Sequence, residues 1–105
     1  MNRKEHLFLK LMEECAEVQQ RVSKLLQFGP DEVQNGQIQT NMERLRFEIN
    51  DVIAVIRLLE DTGNLICNGP FVLGNHEVAK RAKTEKYLKL SESLGLVVDK
   101  DNDSC

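Results

Sequence analysis

Glu14 and Glu17 stand three residues apart, and so do Glu48 and Asp51. On a helix that spacing places both carboxylates of a pair about one turn apart, pointing into the same space. If the two helices pack antiparallel, the pairs face one another and all four groups converge. Four converging carboxylates repel and raise one another's pKa unless a cation sits among them. An all-oxygen ligand set selects hard ions, so the expected cofactor is Mg²⁺, with Mn²⁺ as a substitute. Mg²⁺ held by a few carboxylates takes further ligands from substrate phosphates. A di-iron centre is disfavoured, because it uses Glu-x-x-His pairs, and neither His6 nor His76 follows a glutamate by three residues. The structural alternative is ion pairing with Lys10, Arg21 or Lys24 on a solvated face.

The elements that must carry these pairs are helices. Breaks fall at Gly29-Pro30-Asp31, Gly36, Gly63-Asn64, Asn68-Gly69-Pro70, Gly74-Asn75 and Gly95. Between them lie three stretches rich in Glu, Lys, Leu, Gln and Ala, the residues that lose least on entering a helix. The predicted helices span about 3–28, 38–62 and 76–94, with a short turn at 31–37. Residues 65–73 are the one place for a short strand, and 99–105 form a flexible polar tail. The fold class is all-α, one helical domain over 1–98. In the first helix Leu7, Leu11, Cys15, Val18, Val22 and Leu25 make one apolar stripe, which puts Cys15 in the core. Glu14, Glu17, Lys10, Arg21 and Lys24 follow its edge. The second helix is apolar nearly all round. Ile38, Met42, Leu45, Ile49, Val52, Ile53, Ile56 and Leu59 form a broad arc, and Phe47, Ala54, Val55 and Leu58 lie outside it. Glu48 and Asp51 are set inside that apolar surround, where a carboxylate is costly unless paired with a cation or a metal.

Bulk properties exclude several classes. The chain carries 14 basic and 17 acidic residues, a net charge of −3, without the basic face that nucleic-acid binding requires. No run approaches the roughly 18 apolar residues of a membrane span. Residues 1–10 read as a charged helix start rather than a signal peptide, and the expected location is cytoplasmic. Three cysteines, Cys15, Cys67 and Cys105, lack CxxC spacing and are expected as reduced thiols. A chain of 105 residues builds only a shallow core, so a partner subunit is expected to help.

The words LMEECAEVQQRVSKLLQFG and LRFEINDVIAVIRLLE resemble the EExxE…ExxD signature of the MazG-like all-α nucleoside triphosphate pyrophosphohydrolases. The likeness covers the first two helices strongly and the third more loosely. The 30 residues between Glu17 and Glu48 make the connection slightly longer than is usual in that family. The resemblance implies an antiparallel helical bundle completed by oligomerisation. It implies that Glu14, Glu17, Glu48 and Asp51 ligate Mg²⁺ and are the catalytic residues, with Glu17 or Glu48 as the possible general base. Glu13 matches the first motif glutamate, but about 100° of helical rotation turns it away from Glu14. The implied reaction cleaves the α–β phosphoanhydride of an NTP or dNTP to a monophosphate and pyrophosphate.

A triphosphate also needs cations. Lys80, Lys83 and Tyr87 share a stripe on the third helix, flanked by Arg81 and Lys86, and AKRAKTEKY resembles the lysine-tyrosine stretch with which relatives close over phosphates and base. Lys24 is a further substrate-binding candidate. Phe28, Phe47, Phe71 and Tyr87 are available for base stacking, with core packing the expected job of Phe28 and Phe47. Phe47, Ala54, Val55, Leu58 and the loop at 64–74 are expected to meet another subunit in a homodimer or homotetramer. Two alternatives share these features: a phosphoribosyl-ATP pyrophosphohydrolase, and a non-catalytic helical dimerisation module. The Glu48/Asp51 pair argues against the module, which gains nothing from it.

Overall fold

The computed structural model describes residues 1–65 and 74–98. The regular elements among the described residues are all α-helices: α1 (Arg3–Phe28), α2 (Asn41–Asp61) and α3 (Asn75–Ser93). The chain divides into two compact units, Met1–Pro70 with α1 and α2, and Phe71–Ser104 with α3. Most of the segment 65–73, with Cys67, Phe71 and Val72, lies outside the described residues, as do the tail at 99–105 and Cys105. No helix among the described residues is long and apolar enough to cross a membrane.

Each end of the first two helices has a local cause. Asn2 caps α1: its side chain accepts from the Glu5 N–H at 2.8 Å, while the Glu5 carboxylate accepts from the Asn2 N–H at 3.2 Å. That reciprocal arrangement satisfies two of the donors a helix start leaves unpaired. At the other end Gly29 takes φ +87°, a conformation side chains resist, and its N–H closes onto the Leu25 carbonyl at 2.9 Å. The second helix begins at Asn41, not at 38. Thr40 and Glu43 form another capping box, with bonds of 3.0 and 3.1 Å, and the box sets the first turn. Ile38, expected in the apolar arc, therefore lies outside the helix and is 91% exposed. The Thr40 N–H, and then its hydroxyl, hold the Glu43 carboxyl below its usual range. Thr40→Ala is expected to cost about 1 kcal/mol, read from the denaturant midpoint. An unchanged midpoint would show that the box does not hold this helix start.

The connection between α1 and α2 is tied down rather than loose. It makes the turn expected at 31–37, with the Gln37 N–H bonded to the Gln34 carbonyl at 2.9 Å, and one antiparallel bridge pairs Val33 with Thr40. Asn41, 1% exposed, donates to the Gly29 carbonyl at 2.9 Å and to Glu32 at 3.1 Å. The start of α2 is thus fastened to the end of α1. Glu48, about two turns along α2, meets Glu14 and Glu17, three turns or more back along α1. The two helices therefore run antiparallel.

Their shared seam differs from the expected stripe. On α1 the buried and half-buried positions include Leu7, Leu11, Glu14, Val18, Arg21 and Leu25, and on α2 they include Asn41, Leu45, Glu48, Val52, Val55 and Leu59. Both sets step by four and three, the 3.5-residue spacing of helices packed side by side along a seam. That register takes Glu14 and Arg21 in place of Cys15 and Val22. Cys15, expected in the core, is exposed. Val55 turns inward, whereas Ile49 and Ile53 from the expected arc are exposed. Leu59, fully buried, and Leu7 are the buried hydrophobic residues among those described.

Candidate active site

A seam position normally holds an apolar side chain, and this one holds two carboxylates and a guanidinium. Carboxylate oxygens of Glu14, Glu17 and Glu48 all lie within 4.8 Å of one another. Glu14 and Glu48 are half-buried and Glu17 is exposed. Asp51, one turn beyond Glu48, is exposed; it stands outside this trio and acts on Glu48 through its charge. Glu13 points elsewhere, to an exposed contact with Lys10 at 3.3 Å.

The trio is electrostatically costly as it stands. Burial, then the hydrogen bond and charge of Glu17, then Glu14 and Asp51, push the Glu48 carboxyl up to about 7 from 4.5. Fully ionised, the three groups have no proton to share, and Glu14 Oε2 and Glu48 Oε2 are buried with no hydrogen-bond partner. A proton on Glu48 relieves part of the cost by donating to Glu17 or Glu14. A divalent cation would relieve more, since buried unpaired oxygens are the donor atoms such an ion takes. The all-oxygen set fits Mg²⁺ or Mn²⁺ rather than zinc or copper.

Beside the trio, Glu17 and Glu48 border a cleft of about 340 Å³ in the first unit. Arg21 and Gln20 of α1 line one side, and Arg44 and Phe47 of α2 with Gln39 of the connection line the other. Arg21 stands one turn after Glu17 and Arg44 one turn before Glu48. Arg21 Nη1 is buried without a hydrogen-bond partner, and Arg44 Nη1 donates to Gln34 Oε1 at 2.9 Å. Phe47, expected in the core, is 52% exposed. Arg44, Gln20 and Gln39 are not legible as site residues from spacing alone. The available signal is that Glu17–Arg21 and Arg44–Glu48 are each i, i+4 pairs, so each guanidinium shares a helix face with a carboxylate.

The remaining predicted residues are not among those that line this cleft. Lys24, half-buried, places its ammonium 5.6 Å from the centroid of Phe28, a cation–π contact at the exposed end of α1. Lys80, Lys83, Lys86 and Tyr87 lie on α3, in the second unit, and all are exposed. No family model matches the chain, and no curated protein or solved structure matches it.

Proposed function

We propose that the chain is a Mg²⁺-dependent nucleoside triphosphate pyrophosphohydrolase, cleaving the α–β phosphoanhydride to a monophosphate and pyrophosphate. The observation that carries this reading is the convergence of Glu14, Glu17 and Glu48, two of them with buried unpartnered oxygens, at the edge of a cleft that also holds Arg21 and Arg44. The resemblance of the first two helices to the MazG-like signature supports it. Glu14, Glu17 and Glu48 would hold the ion, with Asp51 as the further carboxylate one turn along. Such an ion would supply charge neutralisation at the phosphates and polarisation of the bond to be cleaved. Of the two candidates for general base, Glu17 and Glu48, we assign Glu17, the exposed member, to accept the proton of an attacking water. Lys24, on the same edge of α1 as Glu17 and Arg21, is a further candidate for binding phosphate. The test is pyrophosphate release from a panel of NTPs and dNTPs, with and without Mg²⁺. Release that requires Mg²⁺ supports the reading, and a panel without release under either condition removes it.

The working unit in this proposal is a homodimer or homotetramer. The antiparallel pair leaves Ile49, Ile53 and Leu58 of α2 exposed on both flanks of the seam, along with Met12 and Leu26 of α1. Each such side chain buried by a second subunit contributes about 1.5–3 kcal/mol. Light scattering at micromolar concentration is expected to give twice or four times 12.0 kDa. A stable, active 12.0 kDa monomer would remove the interface.

A further inference from the structure

We infer that the cleft beside the carboxylates seats the nucleotide itself, with Arg21 and Arg44 holding the phosphate tail and Phe47 stacking the base. This rests on the pyrophosphohydrolase reading and goes beyond it by naming side chains that neither the acidic signature nor the basic stripe of α3 identifies. The two guanidiniums approach from opposite helices and line the same cleft. Among the described residues neither forms an ion pair with a carboxylate, although each lies one turn from one. Arg21 Nη1 is a buried donor with no acceptor, a costly arrangement that a phosphate oxygen would end. Arg44 is steadied by Gln34 through one nitrogen, and a guanidinium has five N–H donors, so others remain for an anion. The volume, about 340 Å³, falls within the roughly 300–1,000 Å³ of small-molecule sites.

Phe47 marks the base end. It lines the cleft yet is half exposed, at the rim rather than in the seam. An aromatic face there stacks any nucleobase. Gln20 and Gln39 line the same cleft, and their amides offer both donors and acceptors to a base edge.

The test is calorimetric binding with Mg²⁺ of inorganic tripolyphosphate and of the α,β-methylene analogues of ATP and UTP, which cannot be cleaved at the bond in question. Arg44→Gln and Arg21→Lys are expected to weaken both ligand types by about tenfold or more. Phe47→Ala is expected to weaken the nucleotide analogues by about fivefold or more while leaving tripolyphosphate unchanged. Melting temperatures identify variants that have lost their fold; the milder Arg21→Lys guards against this at the seam. Arginine variants with wild-type melting and wild-type affinity for both ligands would overturn the phosphate assignment. Equal effects of Phe47→Ala on tripolyphosphate and nucleotides would overturn the base assignment. Arginine-dependent binding without pyrophosphate release from any cleavable NTP would leave the cleft standing and remove the hydrolase reading, so the two failures are distinguishable.

Discussion

Glu48→Gln is expected to lower kcat for pyrophosphate release by at least about a hundredfold while making the metal-free protein more stable. Both effects come from one position. Glu48 sits at the seam with a buried, unpartnered oxygen, beside Glu14 and Glu17 and one turn from Asp51. Glutamine keeps the shape and can donate to a neighbouring carboxylate, so the repulsion and the unshared oxygen are both relieved. It also removes the charge that an ion requires. Stability and activity therefore move in opposite directions, which is unlike a mutation that merely damages the fold. Asp51→Asn is expected to lower turnover as well, through the loss of the further carboxylate. Glu13→Gln serves as the control, since Glu13 only pairs with Lys10 on an exposed face. Turnover at the wild-type level in both Glu48→Gln and Asp51→Asn would remove these carboxylates from the reaction.

Mg²⁺ is expected to raise the melting temperature, and by more at pH 8 than at pH 5. In the metal-free protein the Glu48 carboxyl is raised from 4.5 to about 7 by burial, by Glu17, and then by Glu14 and Asp51. Between those values the folded state holds a proton that the unfolded chain has released. Stability from this group is therefore fully present below about 4.5 and is lost as pH rises through about 7. A divalent ion replaces the proton as the neutralising charge and binds best where the carboxylates are free of protons. At a hundredfold excess over Kd it would contribute about 2.7 kcal/mol, or roughly 10–20 °C in a domain this small. Glu48→Gln is expected to flatten the pH dependence without metal and shrink the response to Mg²⁺. Melting that ignores both pH and Mg²⁺ across this window would contradict the metal centre.

The sequence made the helices and the acidic pairs legible for separate physical reasons. Gly29 and Gly63 take positive φ of 87° and 76° at the ends of α1 and α2, where their sequence context already marks breaks. The i, i+3 spacing is enough to predict that Glu14 and Glu17 share a space, and the convergence with Glu48 follows once the helices are antiparallel. Register was less legible. A straight helix of 3.6 residues per turn fits Leu7, Leu11, Cys15 and Val18, but packing along a seam selects 3.5, and the shift exchanges Cys15 for Glu14. The start of α2 was legible and was overridden: Thr40-Asn41-Met42-Glu43 spells a capping box, while the apolar Ile38 suggested an earlier start. Arg44, Gln39 and Phe47 were not legible as neighbours of Glu17, because their convergence depends on how the connection folds back. Asn41 and Gln34, which make hydrogen bonds in that turn, carry no chemical signature of their own.

Phosphorus NMR of an NTP incubated with the protein and Mg²⁺ in oxygen-18 water reads the proposed cleavage directly. The proposed reaction predicts a monophosphate and pyrophosphate in equal amounts, with one oxygen-18 atom entering either the monophosphate or the pyrophosphate for each bond cleaved, and no product signals when Glu48 is glutamine. Appearance of a diphosphate with orthophosphate, or an unchanged triphosphate spectrum, would contradict it.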